Sequence, residues 1–386
     1  MQIPEKGMKS AALMRELKAA RRRDRDFSGG RILGSMCTEP LAVAKRADAM
    51  FVNSNLGNPG LCEGTRDLAH KVMEMCASLF RGDGFAGRIT SGATEANIIA
   101  LWMARNVMRR KKVVLPAHAH FSLHKAADLL GLEKVMISTD ENYRMDSSRA
   151  IRAARDPDVA AVVCAAGSTE LGQVDPIQEI AESISSLVSP PLLHVDAAFG
   201  GFVLPFMRDL GMKTPEFDFT IPQVSTVCAD PHKMGLGTVP CGSLTVRRPE
   251  WFDAITFDSP YLTKAKQGTL LGTRGSAAVP AAYAAMVSLG RQGYREIVKR
   301  CIDNTRLLAD GFRQLGAEPI IEPVMNILGV KVKDTAAAAR AFDDLGWNVS
   351  TTRIPSLRFV VMPHVTKKRI LELLEDARRL KRKGSL

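Results

Sequence analysis

The segment Asp230-Pro231-His232-Lys233-Met234-Gly235 sets a lysine behind an apolar run and just ahead of a glycine-rich turn. Upstream, His194-Val195-Asp196-Ala197-Ala198-Phe199-Gly200-Gly201 sets an aspartate at the end of another apolar run. A lysine taken out of water has a lowered pKa and becomes a usable nucleophile. A carboxylate at a buried strand end needs a partner. Together and in this order the two suggest a pyridoxal phosphate site. Lys233 is expected to carry the aldehyde as a Schiff base. Asp196 is expected to keep the pyridine nitrogen protonated, so that the ring acts as an electron sink. A surface loop lysine and a structural ion pair or helix cap are the plainer readings.

Four further stretches carry polar groups where chemistry needs them. Gly87-Arg88-Ile89-Thr90-Ser91-Gly92-Ala93-Thr94-Glu95-Ala96-Asn97 reads as a strand, a small-residue turn and a helix start. Free N–H groups at a helix N-terminus, with hydroxyls beside them, bind phosphate. Ser91, Gly92, Ala93 and Thr94 are therefore candidates for the cofactor phosphate, against an ordinary Ser/Thr cap. In Ala117-His118-Ala119-His120-Phe121-Ser122-Leu123-His124-Lys125, His120 and His124 share a helix face. No carboxylate or cysteine cluster accompanies them, so no metal is expected. A histidine after a strand instead suits stacking on an aromatic cofactor ring. Ala166-Gly167-Ser168-Thr169-Glu170-Leu171-Gly172 offers hydroxyls to the cofactor's 3′ oxygen, or is a polar turn. Leu357-Arg358-Phe359-Val360-Val361-Met362-Pro363-His364 places one arginine inside an apolar strand. Its guanidinium matches a carboxylate in bidentate fashion or forms a structural salt bridge.

The elements that must position these residues alternate. Apolar strands are expected near 113–116, 134–137, 159–165, 192–196, 225–229 and 242–246. Helical patterns lie near 66–80, 94–109, 121–131, 146–154, 176–187 and 276–290. Strands alternating with helices argue for a mainly parallel sheet covered on both faces. Such sheets bind ligands at the carboxyl ends of their strands, which is where Asp196 and Lys233 fall. A basic amphipathic helix is expected over 9–25, and residues 34–64, rich in Gly, Asn and Pro, read as a structured loop region. From about 291 the texture changes. A helix over 294–315, strands near 327–332, 347–351 and 357–362, and helices near 335–345 and 366–381 make a small α/β unit. The expected division is an N-terminal helix and loop segment (1–65), a large cofactor-binding domain (66–290) and a small C-terminal domain (291–386).

Composition bounds the rest. The 386 residues are 46% hydrophobic and 24% charged, ordinary for a globular protein with a full α/β core. No apolar run is long enough to span a membrane, and Met1-Gln2-Ile3-Pro4-Glu5-Lys6 lacks the apolar core of a secretory signal, so cytoplasm is the expected compartment. The seven cysteines are odd in number and lack CxxC spacing, which fits reduced, buried thiols. The formal charge of +12 is dispersed over Arg21-Arg22-Arg23, Arg109-Arg110-Lys111-Lys112 and Arg378-Arg379-Leu380-Lys381-Arg382-Lys383. No nucleic-acid motif accompanies it, so no specific nucleic-acid partner is expected. Solvated helix ends and anionic small molecules account for the charge.

Read in order, these segments resemble the pyridoxal-phosphate-dependent group II amino-acid decarboxylases, and more narrowly the archaeal L-tyrosine/L-aspartate decarboxylases. The resemblance rests on Ser91–Asn97, His118-Ala119-His120-Phe121-Ser122, His194–Gly201, Asp230–Gly235, Leu271-Gly272-Thr273-Arg274 and Leu357–His364. Gly34-Ser35-Met36-Cys37 and Asn55-Leu56-Gly57-Asn58-Pro59-Gly60 match the archaeal subgroup, and coverage is nearly the whole chain. It implies an α/β fold of fold-type I, with a mainly parallel seven-stranded sheet flanked by helices and a small C-terminal α/β domain. It also implies a homodimer with active sites at the subunit interface. Lys233 is then the Schiff-base lysine and Asp196 the pyridinium partner. His120 stacks on the ring, Ala198 lies against its other face, and His232 stays near the lysine. Ser91, Gly92, Ala93 and Thr94 bind phosphate, helped by Thr273 of the neighbouring subunit. Arg358 binds the substrate α-carboxylate. The family often has Gly-Thr-Thr where this chain has Gly167-Ser168-Thr169; the hydroxyl of Thr169 is retained.

The implied reaction moves the cofactor from Lys233 to the substrate amine, removes the α-carboxylate and returns a proton to Cα. Tyr261, in Ser259-Pro260-Tyr261-Leu262, is the expected proton donor. Tyrosine would give tyramine, a methanofuran precursor, and aspartate would give β-alanine, a coenzyme A precursor. Arg353 or His364 is a candidate second cation for an aspartate side chain. Glutamate decarboxylation and a sphingosine-phosphate-lyase-like C–C cleavage are the alternatives. A desulfurase would need a mobile loop cysteine, and a basic non-catalytic binding protein would be expected to have lost Lys233 or Asp196.

Overall fold

A computed structural model describes residues 2–263, 266–384 and 386. Among them, seven strands form the main sheet: β1 (Ala86–Thr90), β2 (Lys112–Pro116), β3 (Glu133–Ile137), β4 (Val159–Ala165), β5 (Leu192–Asp196), β6 (Val224–Ala229) and β7 (Gly242–Val246). Their spatial order is β1-β7-β6-β5-β4-β2-β3. β7 is antiparallel to both its neighbours, β1 and β6, and the pairings from β6 through to β3 are parallel.

The strands read as unbroken apolar runs because both faces are covered. Side chains alternate across a strand, and the alternation here sorts chemistry from core. In β5, Leu193 and Val195 join a core with Val224 and Val227 of β6 and with Val72 and Cys76 of the helix Glu63–Leu79. His194 and Asp196 point to the other face, under the helix Ala93–Met108. The register sets His194 opposite Thr226 and Asp196 opposite Cys228. A short polar strip therefore lies inside an otherwise apolar layer.

The expected helical patterns at 276–290 and 294–315 form one long helix, Ala278–Gln314, broken at Gly290. Gly290 has φ 55° and ψ −176°, a combination that side chains disfavour. Beyond the break, the helix packs on an antiparallel three-stranded sheet. After a short hairpin of β8 (Phe257–Asp258) and β9 (Lys266–Gln267), its strands are β10 (Ile327–Lys331), β11 (Ser350–Thr351) and β12 (Ser356–Val360). A separate core of Phe312, Phe342, Trp347 and Phe359 lies beneath it.

Residues 34–64 are not all loop. Ala42–Met50 is a helix. Its alanines favour helix and Ala44 buries against Ala281 and Ala285, a contact that the flanking Asn, Gly and Pro hide. Just before it, the Leu33 N–H bonds Asn348 O and the Val360 N–H bonds Leu33 O, each at 2.7 Å. The N-terminal segment is thus stitched to the edge of the three-stranded sheet and continues from there toward the site. All seven thiols are free, and Cys76, Cys164, Cys228, Cys241 and Cys301 are buried. No described helix is long and apolar enough to cross a membrane.

Candidate active site

A cleft of about 300 Å³ opens at the carboxyl ends of β4, β5 and β6. Among the residues singled out from the sequence, Ser91, Gly92, Ala93, Thr94, His120, Thr169, Asp196, Ala198, His232 and Lys233 all line it. Met36, carried in by the stitched N-terminal segment, lines it too.

Lys233 lies in the connection from β6 to β7, and its Nζ is 3.0 Å from Asp230 Oδ2. The expected lowering of its pKa by desolvation is not what the structure gives. Burial pushes the amine down, but the charges of Asp230 and Asp196 outweigh it and the net direction is up. Lys233 is thus held as a paired ammonium. Asp230 also anchors the turn beside it, since its Oδ1 accepts the Ala93 N–H at 2.7 Å. His232 is held by the Cys241 backbone through Nδ1, with its Nε2 3.8 Å from Asp230 Oδ2.

Asp196 is only 8% exposed. Burial alone would raise its pKa, but Asn97 and the Ala198 N–H hold the carboxylate ionised and the net direction is down. Asn97 Nδ2 donates to Oδ2 at 2.9 Å and Ala198 N donates to Oδ1 at 3.0 Å. An anionic carboxylate facing a cleft is the acceptor that a pyridinium N–H requires.

His120 caps the helix Phe121–Leu130, which ends at left-handed Gly131. Its Nδ1 is 2.8 Å from Ser122 Oγ. Burial holds the imidazole below its usual pKa, against the pull of Asp196, so the ring is neutral.

The turn before Ala93 is preshaped. Gly92 adopts φ 146° and ψ 171°, and a Cβ there would sit 3.3 Å from His232 Cε1. Not all four amides of the expected phosphate cradle are free, however. Ser91 N–H goes to Glu95 Oε2 at 2.7 Å, and Ala93 N–H goes to Asp230. The set still fits pyridoxal phosphate: an amine, an ionised carboxylate, a neutral imidazole and a helix N-terminus all face one cleft.

Other expected residues lie elsewhere in this chain. Thr273 is exposed and lines a separate cavity of about 170 Å³ that shares only Ser91 with the main cleft. Tyr261 is 86% exposed and does not line the cleft. Arg358 also stays out of the lining. It bonds Ser350 Oγ at 2.8 Å, Thr169 O at 2.6 Å and Gly34 O at 2.8 Å, so it ties the cleft wall to the N-terminal segment. Arg353 pairs with Glu170 at 2.7 Å, and His364 bonds Thr38 Oγ1 and Ile32 O. Neither is a spare cation.

Sequence reasoning assigned no role to Asn97, Ser122, His194 or Asp230, although each stood inside a quoted motif. Asn97 is fully buried in mid-helix, and a buried carboxamide there was the available signal. His118, in a segment already quoted, also has no expected role of its own. Its Nε2 is 2.9 Å from buried Asp175, whose charge outweighs the effect of burial and raises the imidazole pKa.

Comparison with known proteins gives a consistent picture. The family model described as the pyridoxal-dependent decarboxylase conserved domain matches residues 65–330. A probable L-aspartate decarboxylase of Archaeoglobus fulgidus is 41% identical, over 96% of this chain and 100% of its own. A probable L-tyrosine/L-aspartate decarboxylase of Methanothermobacter thermautotrophicus is 41% identical, over 91% and 97%. Among solved structures, a Burkholderia pseudomallei sphingosine-1-phosphate lyase superposes with a TM-score of 0.88 at 25% identity, covering 100% of this chain and 94% of that one. A Lactobacillus brevis glutamate decarboxylase gives 0.91 at 18% identity, covering 100% and 95%, and shares the fold.

Proposed function

We propose that this chain, which belongs to the pyridoxal-dependent decarboxylase family and is a pyridoxal-phosphate-dependent amino-acid decarboxylase, acts on L-tyrosine, L-aspartate or both. The observation that carries the site is the convergence of Lys233 and ionised Asp196 on one cleft. The relatives' names supply the substrate class. Tyramine for methanofuran and β-alanine for coenzyme A are the products this reading assigns, in an archaeal, cytoplasmic setting.

Pyridoxal phosphate, when bound, supplies an electron sink for the pair left at Cα as the carboxylate departs. The chain's residues do the rest. Lys233 would hold the cofactor through its aldehyde carbon. Asp196 would accept the pyridine N–H. His120 and Ala198 would flank the ring, and Thr169 would serve its 3′ oxygen. Thr94, with the Ser91–Ala93 turn, holds the phosphate, and His232 stays beside the lysine. Arg358 keeps the wall at Thr169 and Gly34 in place. Three of its five N–H groups are engaged there, which leaves two for the substrate α-carboxylate that the family resemblance assigns to it.

We assign a homodimer in which Thr273 and Tyr261 serve the partner's cleft, Thr273 at the phosphate and Tyr261 as the proton donor to Cα. Their exposure in their own chain supports this reading. The large and small domains divide near residue 290. Because Arg353 and His364 are otherwise engaged, neither is assigned to an aspartate side chain.

The test is CO₂ release by the pyridoxal-phosphate-loaded protein from tyrosine, aspartate and glutamate. Release from tyrosine or aspartate supports the reading. Release from glutamate alone corrects the substrate, and release from none of the three overturns it.

A further inference from the structure

Four hydrogen bonds meet at the side chain of Asn97. Its Nδ2 donates to Asp196 Oδ2 at 2.9 Å and to Ser122 Oγ at 2.8 Å. Its Oδ1 lies 2.8 Å from His194 Nε2 and 3.3 Å from Cys228 Sγ. The residue is 0% exposed, so every partner comes from the protein. A carboxamide offers two donors and one acceptor oxygen, and here both ends are fully used.

One end of this arrangement fixes all the others. Ionised Asp196 can only accept, so the Asn97 nitrogen must face it and the oxygen must face His194. His194 then has to donate from Nε2. Burial holds its pKa down to about 4, so the ring is neutral and its Nδ1 is an acceptor. That acceptor takes the hydroxyl proton of Thr226 at 2.7 Å. On the other side, Ser122 Oγ accepts from Asn97 and lies 2.8 Å from His120 Nδ1, which also accepts the Ser122 backbone N–H at 3.4 Å in the helix cap. A neutral His120 therefore carries its proton on Nε2. Donation runs in one direction throughout: Thr226 to His194, to Asn97, and then by one branch to Asp196 and by the other through Ser122 to His120. Hydrogen bonds aligned in this way polarise one another.

We propose that Asn97 is a positioning residue that orients the Asp196 carboxylate and, through Ser122 Oγ, reinforces the His120 tautomer that the helix cap favours. The two groups lie on different elements, one at the end of β5 and one ahead of the helix Phe121–Leu130. A single amide makes them one unit and presents an oriented anion and an oriented Nε2–H donor to the cleft. The consequence for the ligand rests on the pyridoxal phosphate reading; the tautomers themselves do not.

The test uses ¹⁵N-histidine NMR of the full-length protein with and without pyridoxal phosphate, then a pH titration of the visible absorbance of the lysine-linked cofactor. In the wild type, His120 and His194 are expected as neutral Nε2–H tautomers. Ser122→Ala should weaken the preference of His120 for that tautomer, leaving only the backbone cap to hold it, and leave that of His194. Asn97→Ala should release the tautomer of His194 and weaken that of His120. It should also weaken pyridoxal phosphate by roughly tenfold and raise the absorbance midpoint by about one pH unit. The midpoint rises because a less firmly protonated ring withdraws less charge from the lysine nitrogen. An Nδ1–H or cationic His120 in the wild type overturns the proposal, and this readout survives if Asn97→Ala does not fold. An Asn97→Ala protein with unchanged tautomers and midpoint also overturns it. If no pyridoxal phosphate binds at all, the functional reading fails, while the wild-type tautomers still decide the role of Asn97.

Discussion

Asp230 reaches Lys233 Nζ with one carboxylate oxygen, at 3.0 Å, and the Ala93 N–H with the other, at 2.7 Å. The residue expected to capture the aldehyde and the turn expected to capture the phosphate are thus joined through one acid. The ammonium must lose a proton before it can act as a nucleophile, and Asp230 and Asp196 make that loss harder.

Asp230→Asn keeps an acceptor for Ala93 and removes the charge. The Lys233 amine should then become available at lower pH. Cofactor uptake at pH 7, followed by stopped-flow absorbance, should accelerate by about tenfold for each unit by which the amine pKa falls. An uptake rate and pH profile identical to wild type would show that the carboxylate does not control the amine.

The proposed subunit sharing makes a genetic prediction. Lys233→Ala and Tyr261→Phe homodimers should each lose turnover. Mixed dimers made by co-expression should regain part of it, because one of the two clefts then holds an intact lysine and faces an intact tyrosine. Differently tagged subunits allow the hybrid to be isolated and assayed. A hybrid no more active than its parents would place both residues in the same cleft, or Tyr261 outside the chemistry.

The buried imidazole of His194 gives a pH signature in stability. Its pKa falls from 6.5 to about 4 on folding, so the unfolded chain binds the extra proton between those values. The contribution is fully present above about pH 6.5 and is lost as pH falls toward 4. It amounts to about 3 kcal/mol over that window. Urea unfolding at pH 7 and pH 4.5 should show a smaller pH-dependent loss in His194→Gln than in the wild type. Equal losses would mean that His194 is not buried as a neutral ring.

Gly92 offers a cleaner perturbation of the cradle than its polar neighbours. At φ 146° any side chain is strained, at a cost of about 1–3 kcal/mol, and the added methyl approaches His232. Gly92→Ala should fold and lose pyridoxal phosphate affinity by tenfold or more, read by fluorescence titration. Unchanged affinity would remove this turn from the cofactor site.

Much of this was legible in the residues. Strands buried on both faces read as apolar runs, and Asp196 stood out because a carboxylate ends one of them. Lys233 stood out for the same reason. The order of the strands, the reversal of β7 and the helix Ala42–Met50 were not legible, because pairing and helix packing depend on distant partners. Asn97 illustrates the limit. Its polar character is visible in the chain, but its partners Ser122, Asp196 and Cys228 lie 25, 99 and 131 positions away. Arg358 shows the converse: a lone arginine in an apolar strand was conspicuous, yet its first bonds are to backbone carbonyls of Thr169 and Gly34.

The reversal of β7 bears on how the molecule is assembled. β6 and β7 pair as antiparallel neighbours around the Lys233 connection, so that half of the cleft closes over a short stretch of chain. The other half waits for contacts spanning 99 residues from Asn97 to Asp196 and 137 from Ala93 to Asp230. Each doubling of loop length adds about 0.6 kcal/mol of closure entropy. By this measure the lysine connection closes more cheaply than the contacts that gather the carboxamide and the phosphate turn, and the binding pocket is completed by contacts of long separation. Cofactor added during refolding should raise the yield of native protein, because it rewards the conformations in which those distant pieces have met.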